Sequence, residues 1–313
     1  MLKKFFNNLK LAMNMPEKKI ITFANQKGGV GKSTLCTLFA NALVEAGIPV
    51  KVLDYDRQHT IGNRRNDDLR YLNPQDPEKL IERGQGDQFK YEVLSSNLFS
   101  AVSVANDLRV LSQDDSNLLI DAPGNLLEQG LSTVLCNSDF VVVPFQYEPG
   151  SINSTALFIN YCIKLKGTGE MKAQLIFVPN HYSPRGGNEK EKRLWEHTKT
   201  VFAKYGTVVS PVLYSVELQR INTFTIYSRQ RRFIKDTFDE IGKTIFGREH
   251  LTRDLTLEET NVPEAEVFDS ANEPPFTDTG VKTSGDNAGA SIENTDGSIA
   301  QSADRDSDTG SDI

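Results

Sequence analysis

Short apolar runs separated by helix-length stretches dominate the chain from Lys19 onward. Residues 20–24 form an apolar block of strand length that runs straight into a glycine-rich turn. Leu35, Leu38, Phe39, Ala42, Leu43 and Ala46 then share one helical face, and Gly47 predicts the stop. A second strand is expected at 50–54, closing a β–α–β unit, and further apolar runs occur at 118–121, 140–145, 175–179 and 208–213. Continuous apolar strands alternating with helices predict an α/β fold: a doubly wound, mostly parallel sheet with helices on both faces. Residues 62–117 follow neither period clearly, and the chain has no internal repeat.

Both ends depart from this pattern. Leu2, Phe5, Phe6, Leu9 and Met13 recur at helical spacing with Lys3, Lys4 and Lys10 opposite, so residues 1–17 predict a short amphipathic helix. It reads either as a docking helix or frayed leader, or as a foot on a membrane or nucleic acid. Asn7, Asn8 and Lys10 interrupt any secretory core. Beyond residue 257 Ser, Thr, Asn, Gly, Pro and acids replace the apolar pattern, so 258–313 is expected to be a disordered tail behind a domain at 18–257.

Charge changes meaning once divided at that boundary. The 313-residue chain has a net charge of −7, but residues 258–313 carry fourteen acids against Lys282 and Arg305, which leaves the body at +5. A basic body with an acidic appendage does not exclude a nucleic-acid partner. The tail reads as a solubilising segment or as a competitor for whatever polyanion the body binds. Cys36, Cys136 and Cys162 are widely spaced, without a Cys-x-x-Cys pair, which points to reduced thiols in a cytoplasm and no zinc site. The longest apolar run, 140–145, contains Pro144 and falls far short of the ~20 residues of a membrane-spanning helix.

The candidate chemistry begins in the first turn: Asn25, Gln26, Lys27, Gly28, Gly29, Val30, Gly31, Lys32, Ser33, Thr34. Glycines between a strand and a helix let backbone N–H groups wrap a polyphosphate, with Lys32 against the β- and γ-phosphates and the Ser33 hydroxyl on Mg²⁺. Gln26 occupies the place of the first glycine in the ordinary P-loop pattern, and a second lysine, Lys27, lies inside it.

Residues 25–32 resemble the deviant Walker A motif of the ParA/MinD family of P-loop ATPases, close to its form in ParA/Soj-type DNA-partitioning proteins. The resemblance extends over about 18–247. It implies the P-loop NTPase fold, ATP and Mg²⁺ as cofactors, and a nucleotide cradle of Gly28, Gly29, Val30, Gly31, Lys32, Ser33 and Thr34. It also implies that Lys27 reaches the partner's nucleotide across an ATP-dependent homodimer. Asp54 and Asp56 lie at the carboxyl end of the second strand, where a doubly wound sheet gathers ligand-binding groups, with turn capping as the lesser alternative. By likeness to the family's Asp-x-Asp-Pro-Gln motif, Asp56 would orient the attacking water and Asp54 would assist around Mg²⁺ and Lys32. Arg57 replaces the motif's proline. Asp121, ending an apolar run, resembles a Walker B metal ligand, and Gly124 departs from the family's Pro-Pro pair. Asn180 resembles an adenine-contacting asparagine and reads equally as a turn residue.

The resemblance further implies non-specific duplex DNA binding by basic residues late in the domain, here Arg220, Arg229, Arg231, Arg232 and Lys235, each of which also reads as part of a solvated helix face. Lys190, Lys192 and Arg193 form a second candidate face. The leading expectation is a partitioning ATPase, cytoplasmic and nucleoid-associated, released from DNA by a ParB-like DNA-binding activator. A nucleotide-switched scaffold for a conjugation complex or other cargo is the alternative, and a metabolic phosphate-transferring relative a third. About 18 residues precede the first strand, so no operator-reading helix-turn-helix is expected there. An acidic end lacking tyrosine fits neither a MinD-like membrane helix nor the tail of a bacterial tyrosine kinase. The cysteines do not match the cluster ligands of a nitrogenase-iron-protein relative.

Overall fold

The computed structural model describes residues 18–71, 91–98 and 100–252, all within one compact unit. The expected N-terminal helix at 1–17 and the acidic tail at 258–313 lie outside the described residues. Among the described residues seven parallel strands form one sheet: β1 Ile20–Phe23, β2 Val50–Asp54, β3 Val93–Ser95, β4 Asn117–Asp121, β5 Phe140–Phe145, β6 Gln174–Pro179 and β7 Thr207–Val208. Their order is β3-β2-β4-β1-β5-β6-β7. The helices are α1 Lys32–Glu45, α2 Thr60–Tyr71, α3 Ala101–Leu111, α4 Leu131–Cys136, α5 Pro149–Gly167, α6 Glu189–Phe202 and α7 Ser228–Phe246, with a 3-10 turn at Val216–Gln219.

Strand side chains alternate between two cores because successive residues point to opposite faces. Val52, Leu119, Val142 and Ile176 join a core closed by Leu35, Phe39 and Leu43 of α1 and by Ile234, Phe238 and Ile241 of α7. Leu53, Ile120, Val141, Val143 and Phe177 enter the other core, against Val104 of α3, Leu131 of α4, Phe158 of α5 and Phe202 of α6. Both faces are therefore covered, as the continuous apolar blocks require, and among the described residues no helix is long and apolar enough to cross a membrane.

Four elements depart from the sequence expectation. Within the unclear stretch the chain forms α2, β3 and α3. Polar α2 starts on the Asp54 carboxylate, while α3 starts on a Ser100–Ser103 capping box. The run at 208–213 yields a strand of only two residues. Val209 N–H and Val212 N–H still donate to Phe177 O and Pro179 O, but Pro211 has no N–H to continue the ladder.

Register brings the chemistry together. Phe23 and Asp54 both pair with Asp121, so the ends of β1, β2 and β4 line up at one edge of the sheet. β1 lies between β4 and β5, where the chain changes direction across the sheet, and such crevices are where open α/β sheets bind ligands.

Candidate nucleotide site

The loop from β1 to α1 turns on glycines in the left-handed region, Gly29 at φ 74° and Gly31 at φ 94°. A Cβ on Gly31 would collide with the Asn180 side-chain amide. At Gly28 and Gly29 an added Cβ meets nothing within 4 Å, so the loop's outer rim is open. No side chain caps α1, and an anion at its N-terminus would satisfy the first N–H groups. Lys32 is almost fully buried there; Lys27, on the rim, makes no ion pair among the described residues.

Asn25 within the loop, and side chains just beyond β5 and β6, hold this backbone in shape. Asn25 Nδ2 donates to Pro144 O at 2.8 Å and Thr155 Oγ1 at 2.9 Å. Asn180 Nδ2 donates to Val30 O at 2.8 Å, and its Oδ1 accepts from His181 N–H. Gln146 Nε2 reaches Gly29 O at 3.2 Å. Asn180 is thus a strap on the P-loop, its amide engaged on both sides, which leaves the adenine contact resting on resemblance alone. Asn25 and Gln146 carry this role without any periodic signal in the sequence.

The three carboxylates have different surroundings. Asp54 is fully buried; its Oδ2 accepts from Ile61 N–H at 2.9 Å and Gly62 N–H at 3.1 Å, and its Oδ1 from Asp56 N–H at 3.1 Å. Burial raises its pKa, and the three N–H groups and nearby His59 oppose the rise. Those backbone donors engage both Asp54 oxygens and make it an anchor for the N-terminus of α2, while its expected assistance around Mg²⁺ and Lys32 rests on resemblance. Asp56 is half-buried and accepts from Gln58 N–H at 2.9 Å. Asp121 is fully buried, with neither oxygen in a hydrogen bond of ordinary geometry. Burial pushes its pKa up to about 7; the nearby Ser33 hydroxyl and Lys32 pull down while Asp54 and Asp56 push up.

A buried carboxylate without a partner is costly, and a dication would supply the missing charge. The Ser33 hydroxyl and Asp121 therefore fit the hard oxygen-ligand chemistry of Mg²⁺, which keeps several waters and takes few protein ligands. The departures from the family motif also find places. A Cβ on Gly124 would lie 3.1 Å from Gln26 O and 3.7 Å from Lys32 Nζ, so glycine lets this loop lie against the P-loop. Arg57 Nη2 pairs with Glu128 Oε1 at 2.7 Å.

The expected basic face is largely answered from within. Arg229 Nε pairs with Glu217 at 2.7 Å, and Lys235 with Asp239 at 2.8 Å. Arg231, expected on the surface, is 13% exposed: it pairs with Glu45 at 2.8 Å, itself 15% exposed, and donates to Ile226 O. Its geometry is that of a structural ion pair between α1 and α7. Arg220 is exposed, and exposed Arg232 lies over the Phe233 ring at 4.6 Å. On α6, Lys190, Lys192 and Arg193 are exposed, with Lys192 3.6 Å from Glu189.

The loop at 221–227 that leads into α7 is held by the helices that leave the nucleotide loops. Asn41 of α1 donates to Asn222 O and Thr225 O, and Glu45 accepts from Ile226 N–H. From α2, Arg64 donates to Ile221 O, Asp68 accepts from Thr223 N–H, and buried Arg65 donates to Thr223 O. Arg65 also lies over the Tyr91 and Phe224 rings. Burial lowers the Arg65 pKa, opposed by Tyr91 and Asp68.

Known structures share this architecture. A Borrelia burgdorferi B31 protein assigned to plasmid partition, solved with AMPPNP, aligns over 73% of this chain and 100% of its own, at 20% identity and TM-score 0.56. The ATP complex of a single-residue variant of McdA from Cyanothece aligns over 77% of this chain and 100% of its own, at 15% identity and TM-score 0.58. Among curated protein sequences none matches. The family model for the CobQ/CobB/MinD/ParA nucleotide binding domain matches residues 21–225, from the strand that enters the P-loop to the loop that leads into α7. With the P-loop, the Asp121 site and the parallel sheet in the arrangement described, the chain belongs to the CobQ/CobB/MinD/ParA nucleotide-binding family.

Proposed function

We propose that this chain is an ATP hydrolase whose nucleotide state controls association with a second copy and with non-specific duplex DNA, in the partition of a plasmid or chromosome region. The observation that carries the reading is the buried Asp121 carboxylate, without a hydrogen bond of ordinary geometry, beside Ser33 and Lys32 and near a glycine loop with an open rim. Backbone N–H groups of 28–34 and Lys32 would bind the phosphates, with Ser33 and Asp121 as the Mg²⁺ ligands. When bound, Mg²⁺ neutralises charge developing on the phosphoryl oxygens. Asp56 would orient the attacking water, Asp54 holds the Asp56 loop in register, and Lys27 extends its charge toward a second protomer's nucleotide. Exposed Arg220 and Arg232 would meet DNA phosphates, and a ParB-like activator would stimulate hydrolysis and release.

Retention of non-specific duplex DNA with ATP or a slowly hydrolysed analogue tests the reading. Lys27→Ala and Lys32→Ala should each lose ATP-dependent retention; variants that bind DNA with ATP as wild type does would remove the mechanism. Internal pairing of Arg229, Arg231 and Lys235 favours a second reading, a nucleotide-switched scaffold for a protein cargo without DNA. Arg220→Ala with Arg232→Ala separates the two. Lost DNA retention with an intact ATP dimer supports partition; unchanged retention removes this face as the DNA surface.

A further inference from the structure

Two loops leave adjacent strands at the edge where the nucleotide chemistry gathers: residues 55–59 after β2, carrying Asp56, and residues 122–130 after β4, following Asp121. The Arg57–Glu128 ion pair joins them at 2.7 Å. Glu128 is fixed on its own side. Its N–H donates to Asn125 O, its O accepts from Leu131 N–H at the start of α4, and Asn125 Nδ2 lies 3.4 Å from its Oε1. Its side chain is 12% exposed, while Arg57 reaches across from solvent at 74%.

The Asp56 loop needs such a restraint. The related motif has proline after its second aspartate, which locks φ there, and Arg57 provides no such lock. His59, two residues on, holds φ 45°, a left-handed conformation that costs a non-glycine residue about 1 kcal/mol or more. From inside, the loop is held by Asp56 N–H on Asp54 and Tyr55 N–H on Asp121 O.

We infer that Arg57 is a positioning residue: its ion pair with Glu128 is a latch that takes the place of the motif's proline and ties the water-orienting Asp56 loop to the loop after the metal-binding aspartate. The inference rests on the ATPase reading above and deepens it. An ion pair with one exposed partner is weak and screened by salt, so the latch tunes hydrolysis rather than enabling it. Its position between the two loops predicts an effect on kcat and none on the KM for ATP.

The test uses the full chain with Arg57→Gln, Glu128→Gln, their double variant and the charge swap R57E/E128R. Each single variant should lower kcat about fivefold, in line with a pair of this exposure, at unchanged KM. The double variant should be no slower than either single, and the swap should restore activity. Wild-type kcat should fall toward the single variants as salt rises, while theirs stays level. Amide exchange at Gln58 and Leu127 should quicken in both singles, a readout independent of hydrolysis. Singles indistinguishable from wild type in kcat and exchange, additive losses in the double variant, or a swap that fails to rescue would each overturn the latch. A wild-type chain that hydrolyses no ATP would instead overturn the ATPase reading, and the exchange data would still decide whether the pair ties the loops.

Discussion

The P-loop and the N-terminal half of α7 both face phosphate in the proposed cycle, yet they are built from different material. The P-loop offers backbone N–H groups held in place by Asn25, Asn180 and Gln146, and its Lys32 is buried. α7 offers long side chains, and Glu217, Glu45 and Asp239 already hold three of its cations. A cradle held from behind binds tightly because little ordering remains to be done on binding. A face whose charges are mostly paired binds a polyanion weakly, so it gains most from a second copy alongside it.

The largest expected effect strikes the cradle. Lys32→Ala removes its buried cation and should weaken ATP binding on the order of 100-fold by calorimetry, in line with the loss of a charge-assisted phosphate contact. Arg231→Ala tests whether α7's cations are interchangeable. By leaving Glu45 nearly buried without its partner, it should cost about 3 kcal/mol of stability in urea unfolding. Exposed Arg232→Ala should change stability by less than about 0.5 kcal/mol while lowering DNA affinity and its salt dependence. Equal stability losses in the two would erase the distinction between paired and available cations.

Asp121→Asn sharpens the comparison through pH. Burial lifts Asp121 to about 7, so without nucleotide and metal the folded chain keeps a proton that the unfolded chain releases near its ordinary 3.8. That contribution to stability is full below the unfolded value and is lost as pH rises through the folded one. Asparagine stays neutral throughout. Its gain in Tm over wild type should therefore be larger at about pH 8 than at about pH 5, with hydrolysis lost at both. An equal gain at both pH values would mean that the carboxylate carries no such penalty.

Fold and site were legible to the extent that they repeat or punctuate. The blocks at 118–121, 140–145 and 175–179 stand out because these strands are buried on both faces. The polar helix α2 escapes notice because Asp54 and Arg65 hold it in place of an apolar stripe. Glycines and Lys32 announce the cradle, since few other residues tolerate that turn. Its straps, and the partnership of Arg231 with a glutamate on α1, depend on proximity that only folding creates.

Among the described residues the sheet's outermost strands are short: three residues in β3 and two in β7. Such brief borders give a foreign strand almost no row of backbone groups to pair with, which guards a chain with this much buried β structure against edge-to-edge aggregation. They also offer a second copy little to pair with by sheet extension, which leaves loops and helices, the parts of the molecule a nucleotide can rearrange, as the surfaces for the proposed reversible dimer.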